Sequence, residues 1–285
     1  MTATTDTLRS AAHRPRIDSR RLGRWALYLV GFVAFLYILT PLIFITWLSF
    51  YSQQIPSFPP EGYTLRWYGE ALRNERFIDA FLVSLQLGVI ATAIGLVVAI
   101  PAALGISRLR FRGNAALANL MLMPLITPGI VLGIAIYVFQ VEVEITTGAP
   151  ILGSLGGLLW GHVLLVIPWT VRLVTASLAG FDRTLEEAAM NLGADRWTTF
   201  RRITLPGILP GIVAAAMFGF VSSFGNLEVS LFLVAPGMTT LPIAIHQYLW
   251  WKIDPTIAAI SVLQIVIITV AMLVTDRFVR ISRVV

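Results

Sequence analysis

The sequence predicts an all-α integral membrane protein with six transmembrane helices, and three observations carry that prediction. Of 285 residues, 57% are hydrophobic and only 13% charged, against roughly 45–50% and about 25% in soluble domains. Six stretches (25–50, 81–106, 115–139, 152–178, 206–234 and 256–275) reach the about 20 apolar residues that crossing a bilayer requires. The arginines gather in alternate connections, the asymmetry that sets membrane topology. A mean hydropathy of +0.80 excludes a soluble enzyme and a disordered chain. A soluble six-helix bundle would need a polar face on every helix, whereas Leu87 to Leu104 offers only Thr92. A β-barrel would need alternation rather than continuous apolar runs.

The N-terminal segment 1–24 reads as an arginine-rich cytoplasmic tail, its first 20 residues without periodicity. The first span is too long for a signal-peptide core, which is roughly 7–15 residues, and no small-residue cleavage site follows, so it reads as a retained anchor. The loop 51–80 carries Pro56, Pro59 and Pro60, then an amphipathic stretch around Trp67, Tyr68, Leu72 and Phe77. The turn 107–114 is brief, and the loops 140–151 and 235–255 are rich in Gly and Pro. Segment 281–285 is a short cytoplasmic C-terminus, so the transmembrane domain is 25–280.

With the N-terminus inside, the inner segments hold sixteen arginines: Arg9 to Arg24, then Arg108, Arg110 and Arg112, Arg183 to Arg202, and Arg277 to Arg283. The outer segments hold only Arg66, Arg73, Arg76 and the sole lysine, Lys252. Both termini are therefore expected in the cytoplasm, and topology accounts for the basic excess without any nucleic-acid partner. Arg172 lies in the fourth span near its inner end, where its stem can snorkel.

The inner connection 179–205 is long. Thr184 followed by Glu187 forms a capping-box pattern. Leu185, Ala188, Ala189 and Leu192 share one helical face, and Gly193 suits a left-handed turn. Asp195 can cap a second short helix through Trp197 and Phe200 before Pro206 opens the fifth span. The pattern predicts a helix–turn–helix hairpin over 182–205 on the cytoplasmic surface. Its apolar face has two destinations, a soluble partner or the lipid surface beside Arg196, Arg201 and Arg202.

Glu187-Ala188-Ala189, three residues, Gly193, nine residues and Ile203-Thr204-Leu205-Pro206 resemble the EAA signature of permease subunits in binding-protein-dependent ABC importers. Further segments are similar to the polyamine-type branch: Phe111-Arg112-Gly113, Met123-Pro124-Leu125, Leu231-Phe232-Leu233, Thr239-Thr240-Leu241-Pro242 and Ile253-Asp254-Pro255-Thr256. The resemblance implies a type I importer permease fold in a bacterial inner membrane. It also implies a second permease subunit (a paralogue, for the polyamine type), a cytoplasmic ATPase dimer and a soluble solute receptor. Carried over by position, Glu187, Ala188, Ala189 and Gly193 face the ATPase, with Leu185 and Leu192 on the same hairpin. The sequence departs from the branch where Gly225-Asn226 follow Ser223-Phe224 in place of an acidic pair, the acid appearing at Glu228.

Glu228 is then the one acidic residue inside a predicted span, and with Asn226 it is the candidate pathway group for a cationic or amine-bearing solute. A carboxylate at the bilayer centre costs roughly 2.5–3.5 kcal/mol on insertion scales and so should face a cavity or a partner. His162 and His246 lack ligand-spaced neighbours, so hydrogen bonding rather than a metal is expected. Gly129-xxx-Gly133, Gly153-xxx-Gly157 and Gly207-xxx-Gly211 permit close helix packing, and Pro101, Pro124, Pro128, Pro168 and Pro210 kink spans. Zero cysteines remove disulfides, thiolate metal sites and cysteine nucleophiles. Lys252 lies between Trp251 and Ile253, so no P-loop is present. No cofactor is expected, no Ser/His or paired-aspartate constellation suggests an intramembrane hydrolase, and energy must come from another subunit or an ion gradient. An ion-coupled secondary transporter would call for several intramembrane ionisable groups and an internal repeat. Only Glu228 and Arg172 appear, without a repeat.

Overall fold

The computed structural model describes residues 19–109 and 111–279, with side chains from 23 to 277. Residues 1–18 of the tail expected over 1–24, Arg110 and the expected C-terminal segment 281–285 with Arg280 lie outside the described residues. Among the described residues, six helices are long and apolar enough to cross a membrane. In chain order the helices are α1 (Ser19–Leu48), α2 (Arg66–Arg73), α3 (Glu75–Arg108), α4 (Asn114–Ile126), α5 (Gly129–Thr147) and α6 (Leu155–Ala179). They continue with α7 (Thr184–Asn191), α8 (Arg196–Thr199), a π turn (Phe200–Thr204), α9 (Leu205–Phe224), α10 (Ser230–Leu233), α11 (Leu241–Leu249) and α12 (Thr256–Val279).

The chain divides into two units, Met1–Trp47 and Leu48–Val285. The first is α1, which starts inside the segment expected as tail and exposes large apolar side chains around its circumference, Trp25, Tyr28, Phe32 and Tyr37 among them. A helix apolar on every side belongs in lipid or in a membrane bundle.

In the second unit α3, α6 and α9 pack against one another as the central layer. Helix α6 is the most enclosed span, 61% of its most apolar window being buried. Small residues allow the close approach: added Cβ atoms at Gly95 of α3 and Gly219 of α9 would both meet the Val166 side chain of α6. Where α3 ends and α9 begins, Ala103, Val174, Leu178 and Ile208 form one core cluster. Toward the opposite end of the layer Leu87, Ile136, Leu158, Val229 and Leu233 form another. Helix packing of this kind in lipid rests on van der Waals contact between small-residue faces rather than on expulsion of water.

Four sequence expectations are corrected. The stretch 115–139 is not one helix: α4 stops at Ile126 and α5 starts at Gly129. Pro128 has no N–H and forces Thr127 into an extended conformation (φ −71°, ψ 131°). The stretch 206–234 is also interrupted, α9 ending at Phe224 and α10 spanning only Ser230–Leu233. Glu228 therefore stands in a turn outside any helix, and it loses its uniqueness, since α5 carries Glu142 and Glu144. Finally, the outer loop 235–255 contains α11, whose Leu241 N–H donates to the buried Ser84 hydroxyl of α3 at 2.8 Å.

The amphipathic stretch becomes α2 with Trp67 and Ala71 buried, followed by α3 from Glu75. The Trp67 indole N–H donates to the Tyr51 carbonyl at 2.6 Å, and the Asn74 side chain accepts the Arg76 N–H at the start of α3. Leu72, placed with them by periodicity, is exposed.

Candidate functional site

The hairpin expected over 182–205 is built by its backbone. The first leg, α7, begins one residue earlier than the capping-box pattern implies: Arg183 is the cap position and Thr184 is already helical. The Asp182 carboxylate takes the Thr184 N–H at 2.9 Å instead, so neither Thr184 nor Glu187 acts as a cap. Hydrogen bonds from Thr184, first its backbone N–H and then its hydroxyl, hold the Asp182 carboxyl below the usual carboxylate range.

At the C-terminus of α7 the Gly193 N–H bonds the Met190 carbonyl at 3.0 Å and the Ala194 N–H bonds the Ala189 carbonyl at 3.1 Å. With Gly193 at φ +90°, this is the paired-bond left-handed helix stop that glycine adopts without Cβ strain. Asp195 then caps the second leg, accepting the Thr198 N–H at 2.6 Å, as the sequence indicates. Thr198 also lowers the Asp195 pKa, chiefly through its side chain and then through that N–H. Because both aspartates are lowered in the folded hairpin, their stabilising effect is present above the ordinary carboxylate range and lost as pH falls through the lowered values. The hairpin's order is thus expected to be flat across neutral pH and to weaken only in acid, which hydrogen exchange on residues 184–199 measures.

The second leg does not end before α9. Helix α8 runs through the π turn straight into α9, an unbroken helix from Arg196 to Phe224. The wider π turn lies one residue before Pro206, which cannot donate a helical hydrogen bond and whose ring crowds the carbonyl four residues back.

The hairpin shows apolar and small side chains to solvent. Leu192 is 89% exposed, and Leu185, Met190 and Trp197 are exposed with it. Glu187 and Ala188 are exposed and Ala189 half-buried. Periodicity alone missed Trp197 as part of this surface. It also missed Glu186, whose carboxylate turns inward to the Arg108 guanidinium and the Thr204 hydroxyl. The signal was present in principle: consecutive residues on a helix point about 100° apart, so Glu186 and Glu187 cannot share one face.

The second locus is the break between α9 and α10. Gly225 caps α9 through Val221. The Asn226 side chain accepts the Val229 N–H at 2.9 Å, and the Asn226 carbonyl accepts the Ser230 hydroxyl at 2.8 Å. An asparagine that captures backbone N–H groups competes with helix continuation, and this ends the apolar run. The loop faces the other break: the Glu228 carboxylate lies where a Cβ on Gly129, the first residue of α5, would be. Two interrupted spans thus meet at Glu228.

Fully buried His162 of α6 fastens this break. Its Nδ1 lies 2.8 Å from the Ser223 hydroxyl on α9 and its Nε2 3.0 Å from the Ser230 hydroxyl on α10. Since Ser230 donates its proton to the Asn226 carbonyl, Nε2 carries hydrogen and Nδ1 accepts from Ser223. His246 has no such role: it is half-buried, its ring edge-on to Trp250.

Among the described residues, six helices of membrane-crossing length, one of them continuous with an exposed hairpin, match what a membrane transport permease requires. Residues 91–283 match the family described as binding-protein-dependent transport system inner membrane component, and the chain belongs to that family. It is 30% identical over 241 residues to the putrescine transport system permease protein PotI of Escherichia coli K12, covering 84% of each chain. It is 27% identical over 253 residues to the spermidine/putrescine transport system permease protein PotC of the same organism, covering 89% of this chain and 92% of that one. The fold is that of a chain in a bacterial ABC transporter that imports the acidic polysaccharide alginate, with a TM-score of 0.68 at 17% identity over 96% of this chain and 99% of that one.

Proposed function

We propose that this chain is one of two permease subunits forming a translocation pathway for a small amine-bearing cation. In this reading a soluble receptor delivers the solute outside and a separate ATPase dimer docks on the hairpin 182–205 inside. The carrying observation is the hairpin: exposed Leu185, Met190, Leu192 and Trp197 on a glycine-stopped turn whose second leg is one helix with α9. Apolar side chains held out in the cytoplasm call for a soluble partner, and a continuous helix carries that partner's movement into the bundle. The second permease subunit is read as a paralogue, by analogy with the polyamine systems.

The solute class is supported by the names of the relatives, which handle putrescine and spermidine, and by Glu228 at the meeting of two broken spans. Interrupted helices at membrane depth belong around a cavity or within protein. Glu228→Gln keeps the shape and removes the charge. With the loss of a charge-assisted contact worth about 1.5–3 kcal/mol, putrescine uptake in cells should fall about 10- to 100-fold. Unchanged uptake by a normally assembled Glu228→Gln complex removes this residue from the pathway.

Both termini and residues 179–205 are read as cytoplasmic, on the arginine asymmetry. In this cysteine-free chain Met190→Cys should resist a membrane-impermeant thiol reagent in intact cells, whereas Trp251→Cys, exposed in the last outer loop, should react. Labelling at 190 contradicts the topology.

A further inference from the structure

We propose that Arg108 and Glu186 form a tie through which movement of the inner hairpin is passed to α3, a second route beside the covalent one into α9. The proposal rests on the coupling reading of the hairpin. Glu186 and Glu187 are neighbours on a short helix with opposite environments. Glu187 is exposed, whereas the Glu186 side chain is only 12% exposed and its Oε1 takes both the Arg108 guanidinium and the Thr204 hydroxyl. One carboxylate oxygen thereby joins three elements: α7, the last turn of α3, and the π turn before α9.

A second bond runs in parallel. The Arg183 guanidinium, at the cap position of α7, donates to the Ser107 carbonyl at 3.0 Å, one of the C-terminal carbonyls that α3 leaves without helical partners. Two positive side chains thus sit at the negative end of α3, the favourable end of its macrodipole. The pair is shielded from water on both sides, Arg108 being 29% exposed, so salt screens it less than it would a surface ion pair.

The tie pulls on α3. Its inner end packs with α6 and α9 through Ala103, Val174, Leu178 and Ile208. A hairpin joined only to α9 would swing that helix against α3. A hairpin also tied to α3 carries the two together, so that the inner half of the bundle moves as a body. A carboxylate outside the matched signature, one residue before its glutamate, is then what keeps the two routes in step. Arg108 and Glu186 are positioning residues in this scheme, since neither needs to touch solute or nucleotide.

The test uses the full complex in lipid nanodiscs, with spin labels at Leu109→Cys just beyond α3 and Met190→Cys on the hairpin, both exposed. A third label at Trp251→Cys serves as the outer reference. Distances are read by pulsed electron resonance with the ATPase in its resting state and after trapping with ATP and vanadate. In the unaltered background both inner labels should shift against the outer reference while the 109–190 distance stays constant. In Glu186→Gln and in Arg108→Gln the 109–190 distance should change on trapping by about 2 Å or more, the scale of a helix shift. The exchanged pair Arg108→Glu with Glu186→Arg should restore the constant distance, a rescue that lost stability alone would not produce. If 190 does not move on trapping in the unaltered chain, the coupling reading itself fails. If it moves and the 109–190 distance is as constant in Glu186→Gln as in the unaltered chain, the tie is wrong and the coupling reading stands.

Discussion

Gly193→Val is expected to abolish transport while leaving the protein inserted and folded. The glycine sits at φ +90°, and no atom lies within 4 Å of where a Cβ would be, so the whole penalty is backbone strain rather than collision. A non-glycine residue there costs about 1–3 kcal/mol, and a β-branched one falls at the upper end. At 1.4 kcal/mol for each factor of ten, the native turn would lose roughly one to two powers of ten in population. The two paired bonds from Gly193 and Ala194 to Met190 and Ala189 would open with it, and Leu192 and Trp197 would no longer be presented together. Measured in reconstituted complex, Gly193→Val should lose either the ATPase subunit on co-purification or solute uptake per ATP. Gly193→Ala should lose less, because alanine enters the left-handed region at smaller cost. Full transport by Gly193→Val with normal ATPase retention contradicts the assignment.

His162→Ala should strike stability instead. Removing the ring leaves a cavity between α6, α9 and α10 and strips partners from the buried Ser223 and Ser230 hydroxyls. The combined cost is about 2–5 kcal/mol, the cavity being the larger part, since individual hydrogen bonds between membrane helices are worth about 1 kcal/mol or less. The thermal midpoint of the purified protein in detergent should fall by several degrees, with loss of the ordered 225–229 turn. A midpoint equal to that of the unaltered protein would mean that the break is held by Asn226 alone.

How legible the molecule was depends on how local each cause is. The stop at Gly193 and the cap at Asp195 were readable because both are decided by one side chain, or the lack of one, acting on its own backbone. The start of α7 was misread by a residue because two neighbours compete for one N–H, and Asp182 wins it from the Thr184–Glu187 pattern. The interruptions of the third and fifth apolar runs were only half readable. Pro128 announces a break that hydropathy smooths over, and the Asn226 cap matters only once Val229 turns back to meet it. Helix α11 carried a start signal, Pro242 in its first turn, hidden inside a loop judged by its glycines and prolines.

The Glu186–Arg108 contact was beyond sequence reasoning, since its partners are 78 residues apart and only the packing of α3 against α6 brings them together. The same holds for Glu228 beside Gly129, which needs two separate helix breaks to meet.

The central claim is that the hairpin is where a soluble ATPase engages this permease. A photo-activatable cross-linking residue placed at Leu192, 89% exposed on the turn, tests it in the assembled complex in native membranes. A covalent adduct with the ATPase subunit is expected from position 192 and from Trp197, and none from Leu249 on helix α11. Adducts of the ATPase with other inner positions but not with 192 or 197, or adducts of 192 with lipid alone, would contradict it.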